Sequence, residues 1–217
     1  MRKLGVNIGS KVLVVKRGEI IPKIERVVEE EGLSLLPIAA PVKCEVCGQA
    51  LVDDGSRFYC PKKDCSKRIL HRLLKFQSVV DIRDFGVTLI ENLFKDKRLK
   101  CISDIYSLSI EDLVPYFLNE ESREADKKSL GAEKVYKSKK AHTNMKLSVF
   151  IAGFDIEGVG ETTVEKLVAA GFDSLDKLLS ANMDQIAAVH GFAETMAQII
   201  VEGLKDNADE MRALVNS

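Results

Sequence analysis

The chain has 217 residues, 46% of them hydrophobic and 30% charged, which excludes a disordered tail and suffices for one large domain or two to three small ones. No apolar run approaches the roughly 18 to 20 residues of a membrane span, and the N-terminus has no apolar signal core, so we expect a cytoplasmic protein without a membrane partner. The formal net charge of −1 does not exclude nucleic acid, because Lys and Arg exceed Asp and Glu by 6 over residues 1–79 and by 1 over residues 80–146, and fall short by 8 over residues 147–217.

The N-terminal segment shows a strand pattern. The short apolar run Lys11–Val15 is followed by a turn at Lys16–Gly18, and Ile20–Pro22 leads into a second run, Lys23–Val28. A two-stranded hairpin is marginal in water on its own. It therefore either docks on the rest of the chain or belongs to a domain that begins before it, and residues 29–42 follow as a linker.

Four of the five cysteines lie close together in sequence, at Cys44, Cys47, Cys60 and Cys65. Two intervening residues followed by Gly48 predict a tight turn that points the first two sulfur atoms at one tetrahedral metal, and the second pair completes four ligands. This spacing predicts one structural zinc ion per chain. The alternatives are two disulfides, a core of unligated thiols and a rubredoxin-like iron site. Disulfides are disfavoured in an intracellular chain, and a core of unligated thiols is disfavoured by the polar surroundings. The iron site is disfavoured because four residues, and not two, separate the cysteines of the second pair.

A basic surface is predicted around these cysteines and on the helix that follows them. It is a candidate for phosphate contacts, and the alternative is an ordinary solvated face. Its members are Lys43, Arg57, Lys62, Lys63, Lys67, Arg68, Arg72 and Lys75.

From residue 66 onward the apolar residues recur with a helical period. The predicted helices are short and are separated by turns that contain glycine, so they must pack in pairs to bury their apolar faces. A polar run at 119–129 interrupts them and is predicted to be a solvated loop or a helix extension. The predicted helices cover residues 66–76, 87–94, 110–118, 132–142, 146–153, 161–170, 174–180, 183–189 and 193–204.

The segment Ile156–Gly160 predicts a special turn between two of these helices, with two glycines flanking one apolar residue. Such glycines allow a sharp turn and the close approach of a ligand. The next helix then begins with free N–H groups and its positive dipole end, which can hold a phosphate oxygen without a basic side chain. We expect Gly158, Gly160 and Thr162 to contact the DNA backbone, which positions the protein without reading the base sequence.

Related turns occur elsewhere in the helical region. Asp84 replaces the first glycine in Ile82–Gly86, and Ala193 replaces the second in Val189–Ala193, while residues 130–134 hold a strongly altered fourth copy. We interpret the first three turns as helix-hairpin-helix motifs and the fourth as a remnant. The alternative is that they are structural turns only.

The order of these features resembles the C-terminal half of bacterial NAD-dependent DNA ligases over essentially the whole chain. The features are a strand hairpin ending in Gly18–Pro22, a four-cysteine finger and four helix-hairpin-helix units. Further supporting segments are Asn7–Val12, Cys65–Ile69 and Gly158–Thr163.

The resemblance implies a multidomain and mainly α-helical fold. Residues 1–36 would be the last strands of an OB-fold, a five-stranded oligonucleotide-binding barrel. Residues 37–76 would be a small four-cysteine zinc finger with its following helix, and residues 77–217 a helical bundle of four tandem helix-hairpin-helix motifs, some of them degenerate.

The resemblance also implies a function. The chain, a monomer associated with the bacterial nucleoid, would close around nicked double-stranded DNA for nick sealing in replication and repair, mostly through phosphates. Lys16, Ile20 and Ile21 would face the DNA near the nick. Backbone amides would reach phosphates at four glycines, namely Gly86, Gly158, Gly160 and Gly191. NAD and magnesium would be cofactors of the intact parent enzyme.

Ligation in this family needs a lysine that accepts AMP from NAD, within a Lys-x-Asp-Gly motif. The 217 residues contain no such motif, since Val52 precedes Asp53, Asp54 and Gly55. We therefore expect these residues alone to be inactive, with the adenylylation domain of the parent ligase as their partner. The alternatives are a stand-alone, non-enzymatic zinc-finger and helix-hairpin-helix protein that binds DNA or a repair partner, and a zinc-stabilised scaffold with no nucleic-acid role.

Overall fold

The structure is a computed structural model that describes residues 4–18, 20–28, 35–55, 57–125 and 127–215. The chain divides into two compact units, Met1–Pro61 and Lys62–Ser217. The described residues are mostly helical with a few short strands, which confirms the predicted fold class. Among the helices of the described ranges, none has both the length and the apolar character needed to cross a membrane.

An antiparallel hairpin forms the first part of the N-terminal unit, from β1 (Lys11–Arg17) and β2 (Ile21–Val28). Gly18 lies in the turn with a φ of +58°, a conformation that favours glycine. The strand register shifts once, between Leu13 and Val14. No residue of either strand is buried, so the hairpin has no core of its own, as expected of a two-stranded unit.

A second, much shorter hairpin lies between the cysteine pairs. It pairs β3 (Val52–Asp53) with β4 (Phe58–Tyr59). The Asp53 Oδ1 atom accepts the N–H of Gly55 at 2.9 Å, and Asp54 Oδ1 accepts the N–H of Arg57 at 2.9 Å. The two aspartates therefore hold a turn.

The C-terminal unit consists of helices joined by short turns, as the sequence predicts. A 3-10 helix, Val114–Tyr116, follows the fourth of them. The helices are α1 (Ser66–Val80), α2 (Val87–Lys95), α3 (Ile102–Ser107), α4 (Ile110–Leu113), α5 (Glu120–Glu124), α6 (Leu130–Ala141), α7 (Leu147–Gly153), α8 (Glu161–Ala169), α9 (Leu175–Ser180), α10 (Met183–Ala187) and α11 (Glu194–Val215).

Several helices differ from the prediction. The first helix continues to Val80, four residues beyond its predicted end. The predicted helix 110–118 ends at Leu113 and is followed by the 3-10 helix, and α5 is a separate short helix inside the polar run 119–129.

The sequence pattern misses α3, which begins after an unusual N-cap, Cys101, whose N–H donates to Asp104 Oδ2 at 3.1 Å. The predicted end of the last helix is residue 204, but the helix continues to Val215. Met211 is buried on this extension, so the apolar face resumes after the polar residues that suggest an end.

Phe76 of α1 lies at the centre of the helical core and is 0% exposed. Its ring packs edge to face against Tyr106, with ring centroids 6.2 Å apart, and against Phe154, with centroids 6.0 Å apart. A Cβ on Gly153 would lie 2.7 Å from Cδ2 of Phe76, which is too close for any side chain. One core thus joins α1, α3 and the end of α7.

Glu210 links three helices of the same unit. Its Oε2 atom accepts Nη2–H of Arg72 at 2.9 Å, and its Oε1 atom accepts the N–H of Ile102, the first residue of α3, at 2.6 Å. Arg72 Nη2 also donates to Asn207 Oδ1 at 2.7 Å. Arg72, which the sequence placed on a surface for phosphate contacts, therefore joins α1 to α11.

Lys139 of α6 is a buried cation, with 2% of its surface exposed. Its Nζ donates to the carbonyl oxygens of Ile105 at 3.3 Å and Tyr106 at 2.8 Å, and to that of Leu108. These carbonyls end α3, where helices leave acceptors without partners. Burial lowers the pKa of Lys139 to about 8, so the ammonium remains charged at neutral pH.

Candidate metal centre and nucleic-acid interface

The four cysteines predicted as metal ligands come together in the structure. The Sγ atoms of Cys44, Cys47, Cys60 and Cys65 all lie within 4.8 Å of one another. A tetrahedral ion with metal–sulfur bonds of about 2.3 Å needs sulfur atoms roughly 3.8 Å apart. Cys47 Sγ and Cys60 Sγ are 3.5 Å apart, far beyond the length of a disulfide bond, about 2.05 Å. The arrangement fits a metal ion such as zinc.

Local backbone turns position these thiols. The N–H of Gly48 donates to the carbonyl of Cys44 at 2.9 Å, and the N–H of Cys44 donates to the carbonyl of Gln49 at 2.8 Å. Gly48 has a φ of +72°, which closes the turn as the sequence predicts. Cys65 is the N-cap of α1. With four sulfur ligands, the set leaves no open coordination position, which is the pattern of a structural site.

The three predicted glycine turns share two backbone features. In each, the third residue has a positive φ, namely +62° at Asp84, +70° at Gly158 and +89° at Gly191. The N–H of the fourth residue donates to the carbonyl oxygen of the first, over 3.4 Å in Ile82–Phe85, 3.0 Å in Ile156–Val159 and 3.1 Å in Val189–Phe192. The turn at Asp84 therefore keeps this geometry without the first glycine.

Each of these turns leads into the N-terminus of a helix. Gly86 and Gly160 are the N-caps of α2 and α8, and within the described ranges neither helix start has a side-chain cap. Several other helices begin with a serine or asparagine whose side chain accepts a backbone N–H, namely Ser109, Asn119, Ser129, Ser174 and Asn182. The first N–H groups of α2 and α8 are therefore open to a phosphate oxygen.

The space in front of these two N-caps is also open. A Cβ on Gly86 or Gly160 would meet no heavy atom of the described structure within 4 Å. Their φ angles, −69° and −97°, suit any residue. Neither packing nor backbone conformation requires glycine here. Glycine is a favourable N-cap residue, and it leaves room for a ligand to approach both helix starts.

Residues 130–134, the altered fourth copy, form a helix start instead of a glycine turn. Ser129 caps α6 by accepting the N–H of Ala132 at 3.3 Å. Gly131 lies in the first turn of that helix, so close to the ring of Phe117 that no side chain would fit. Gly131 thus packs against a ring and presents no turn to a ligand.

Lys16, Ile20 and Ile21 lie around the turn of the β1–β2 hairpin. Ile20 is 81% exposed and Ile21 is 68% exposed, and Lys16 is exposed as well. Large apolar side chains in this state mark a contact surface when they cluster. Glu19, which lies between Lys16 and Ile20 in the sequence, is outside the described residues.

The helix-hairpin-helix motifs around the Ile156–Gly160 and Val189–Ala193 turns are crossed, so that each turn lies beside a helix of the other motif. A Cβ on Gly158, in the first turn, would lie 3.4 Å from Met196 Cε on α11, and a Cβ on Gly191, in the second, would lie 3.7 Å from Lys166 Nζ on α8. Gly203 of α11 receives the side chain of Ile156 so closely that only glycine fits. Nothing in the sequence singles out Lys166, because only the fold brings this helix-surface lysine to a turn.

The first comparison with known proteins matches the region that contains these two turns. Residues 154–206, which contain both crossed turns, match the family described as a SAM-like helix-hairpin-helix tandem. The helical unit thus contains a domain of that class, as the glycine turns predict.

Longer similarity extends over the whole chain. This chain is 44% identical to a DNA ligase of Treponema denticola over 217 residues, which is 100% of this chain and 32% of the relative. It is 37% identical to a DNA ligase of Treponema pallidum, covering 100% of this chain and 25% of the relative. For a DNA ligase of Sorangium cellulosum the identity is 31%, over 99% of this chain and 30% of the relative.

These similarities confirm the resemblance to DNA ligases that the motifs indicate. The chain is homologous over its whole length to part of bacterial proteins named DNA ligase. It spans about a third or less of the length of these relatives.

Proposed function

We propose that this chain is the DNA-binding portion of an NAD-dependent DNA ligase that closes around nicked duplex DNA for nick sealing in replication and repair. The observation that carries the proposal is the set of three turns with a positive φ at the third residue and the same internal hydrogen bond, two of which lead into uncapped helix starts within the described structure. Helix starts of this kind bind phosphate. Similarity to proteins named DNA ligase supports the enzyme class, and the ligase activity would be that of the longer protein.

The proposed contacts are of two kinds. The first kind is made by backbone amides and the start of α8, at Gly86, Gly158, Gly160, Thr162 and Gly191. The second kind is made by side chains at the tip of the β1–β2 hairpin, Lys16, Ile20 and Ile21. Backbone amides suit the acidic last third of the chain, because they bind phosphate without adding a basic side chain.

The remaining parts of the proposal concern cofactors and organisation. A structural zinc ion would be held by the four clustered cysteines. Residues 1–36 would complete an OB-fold, which is supported by a hairpin that has no core of its own. The zinc finger would cover residues 37–76 and the helix-hairpin-helix domain residues 77–217. The parent enzyme would be a monomer of the cytoplasm, associated with the nucleoid, with NAD and magnesium as cofactors of its adenylylation domain.

Gly160→Val tests the amide contacts. The new side chain meets open space and an ordinary φ, so we expect the chain to fold, with a cost of about 1 kcal/mol or less for the poorer N-cap. The branched Cβ hinders a phosphate oxygen from reaching the first N–H groups of α8. We expect the affinity for nicked duplex, measured by fluorescence anisotropy, to fall several-fold, on the order of 1 to 2 kcal/mol.

Ala169→Val, at the exposed last position of α8, is the matched control and should bind like the unchanged chain. If Gly160→Val melts normally and binds nicked duplex with full affinity, the turn is structural only. Parallel titrations with intact duplex over a range of salt measure the preference for the nick.

Residues 1–217 alone should form no covalent AMP adduct, because they contain no Lys-x-Asp-Gly motif. The measurement is incubation with radiolabelled NAD followed by denaturing electrophoresis, with an active NAD-dependent ligase as the positive control. Label that stays on this chain would contradict the expectation.

A further inference from the structure

The acidic last third of the chain contains few cations. Residues 147–217 hold 12 Asp and Glu but only four Lys and Arg, which are Lys166, Lys177, Lys205 and Arg212. Lys177 Nζ is 2.7 Å from Asp173 Oδ1, so its charge is paired. Lys166 is exposed on α8 and makes no ion pair within the described structure.

The position of Lys166 is set by the crossed packing of the two hairpins. Its Nζ lies 3.7 Å from where a Cβ on Gly191 would be, which places the ammonium beside the Val189–Ala193 turn. That turn shares with Ile156–Gly160 a positive φ at its third residue and a hydrogen bond from its fourth residue to its first. The turn beside Lys166 is thus the one whose second glycine is missing.

The two turns offer a phosphate different surroundings. Gly160 leaves open space in front of α8, whereas the methyl group of Ala193 occupies the corresponding position before α11. Both helices begin with a glutamate, Glu161 in α8 and Glu194 in α11, so the methyl group of Ala193 is the difference between the two helix starts. An anion at the Val189–Ala193 turn therefore gains less from backbone amides, and a nearby ammonium offsets the hindrance by the methyl group.

We propose that Lys166 is a phosphate-binding residue, whose ammonium supplies the contact with the DNA backbone at the Val189–Ala193 turn. The phosphate at Ile156–Gly160 is held by backbone amides instead. A single helix, α8, then serves both contacts, with its N-terminus at one turn and the Lys166 side chain at the other. This inference rests on the proposed function, DNA binding by the helix-hairpin-helix tandem.

The test uses Lys166→Gln in the 217-residue chain with a nicked duplex, titrated between about 50 and 200 mM salt. We expect the affinity to fall several-fold. We also expect the slope of log K against log salt to shrink by about 1, because one cation–phosphate contact is lost. Lys166→Arg keeps the charge and should retain the slope. Gly160→Val should lower the affinity with the slope unchanged, because it removes no cation.

Lys205→Gln is the matched control. It removes the same charge from α11, roughly 16 Å along the helix from Glu194, and should leave the slope unchanged. If Lys166→Gln binds with unchanged affinity and slope, or if Lys205→Gln loses as much, this inference is overturned while the proposed function stands. If the unchanged chain does not bind nicked duplex at all, both are overturned.

Discussion

Cys60→Ala is expected to abolish stoichiometric metal binding and to unfold the segment around the four cysteines. Among the described residues of 35–61, only Cys44 is buried, and the two strands there have two residues each. Such a segment has almost no hydrophobic core, so a metal must supply its folding free energy. Structural zinc binding contributes apparent free energies of about 10 to 16 kcal/mol in zinc-finger peptides.

Metal analysis of protein prepared without added metal measures the first effect, with one zinc ion per chain expected for the unchanged protein. Hydrogen exchange of residues 43–60 measures the second. Cys101→Ala is the matched control, because Cys101 lies outside the cluster, and it should keep its zinc. Iron in the purified protein, or no metal, would contradict the zinc assignment.

Phe76→Ala should have the largest effect on the stability of the helical unit. The ring is fully buried between Tyr106 and Phe154, and its removal leaves a cavity that the surrounding helices cannot fill. The expected loss is about 3 to 5 kcal/mol. For a unit of this size that lowers Tm by roughly 6 to 20 °C, which thermal unfolding followed by circular dichroism measures.

Phe117→Ala provides a control of the same chemical change, since Phe117 is 39% exposed. Its Tm should fall much less. Equal shifts for the two variants would contradict the placement of Phe76 at the centre of the core.

Local sequence signals predict the cluster of four cysteines and the three turns well. The cysteine spacing encodes a tight turn, and Gly48 adopts the positive φ that the turn needs. The apolar and glycine spacing of Ile156–Gly160 likewise encodes a turn, which is present in the structure. Even at Asp84 the pattern predicts the turn, because aspartate tolerates the left-handed conformation better than most residues.

The features that the sequence does not reveal depend on contacts between distant residues. The sequence indicates that Arg72 is a surface cation, but its guanidinium donates a hydrogen bond to Glu210, which is 138 residues away. In the sequence Lys166 is an ordinary helix lysine, and only the packing of the crossed hairpins brings it to Gly191. The continuation of α11 depends on the burial of Met211. No local pattern specifies which distant element will meet a given side chain.

The crossed hairpins have a consequence for the geometry of any ligand. Because Gly158 rests on Met196 and Ile156 fits against Gly203, side-chain packing, and not the length of a loop, fixes the gap between the two turns. If both turns bind phosphate as proposed, the fixed gap between them matches one particular spacing of phosphates on the DNA backbone. A duplex whose phosphates are spaced differently would lose one of the two contacts, so the rigidity of this pair selects for backbone shape without contacting a base.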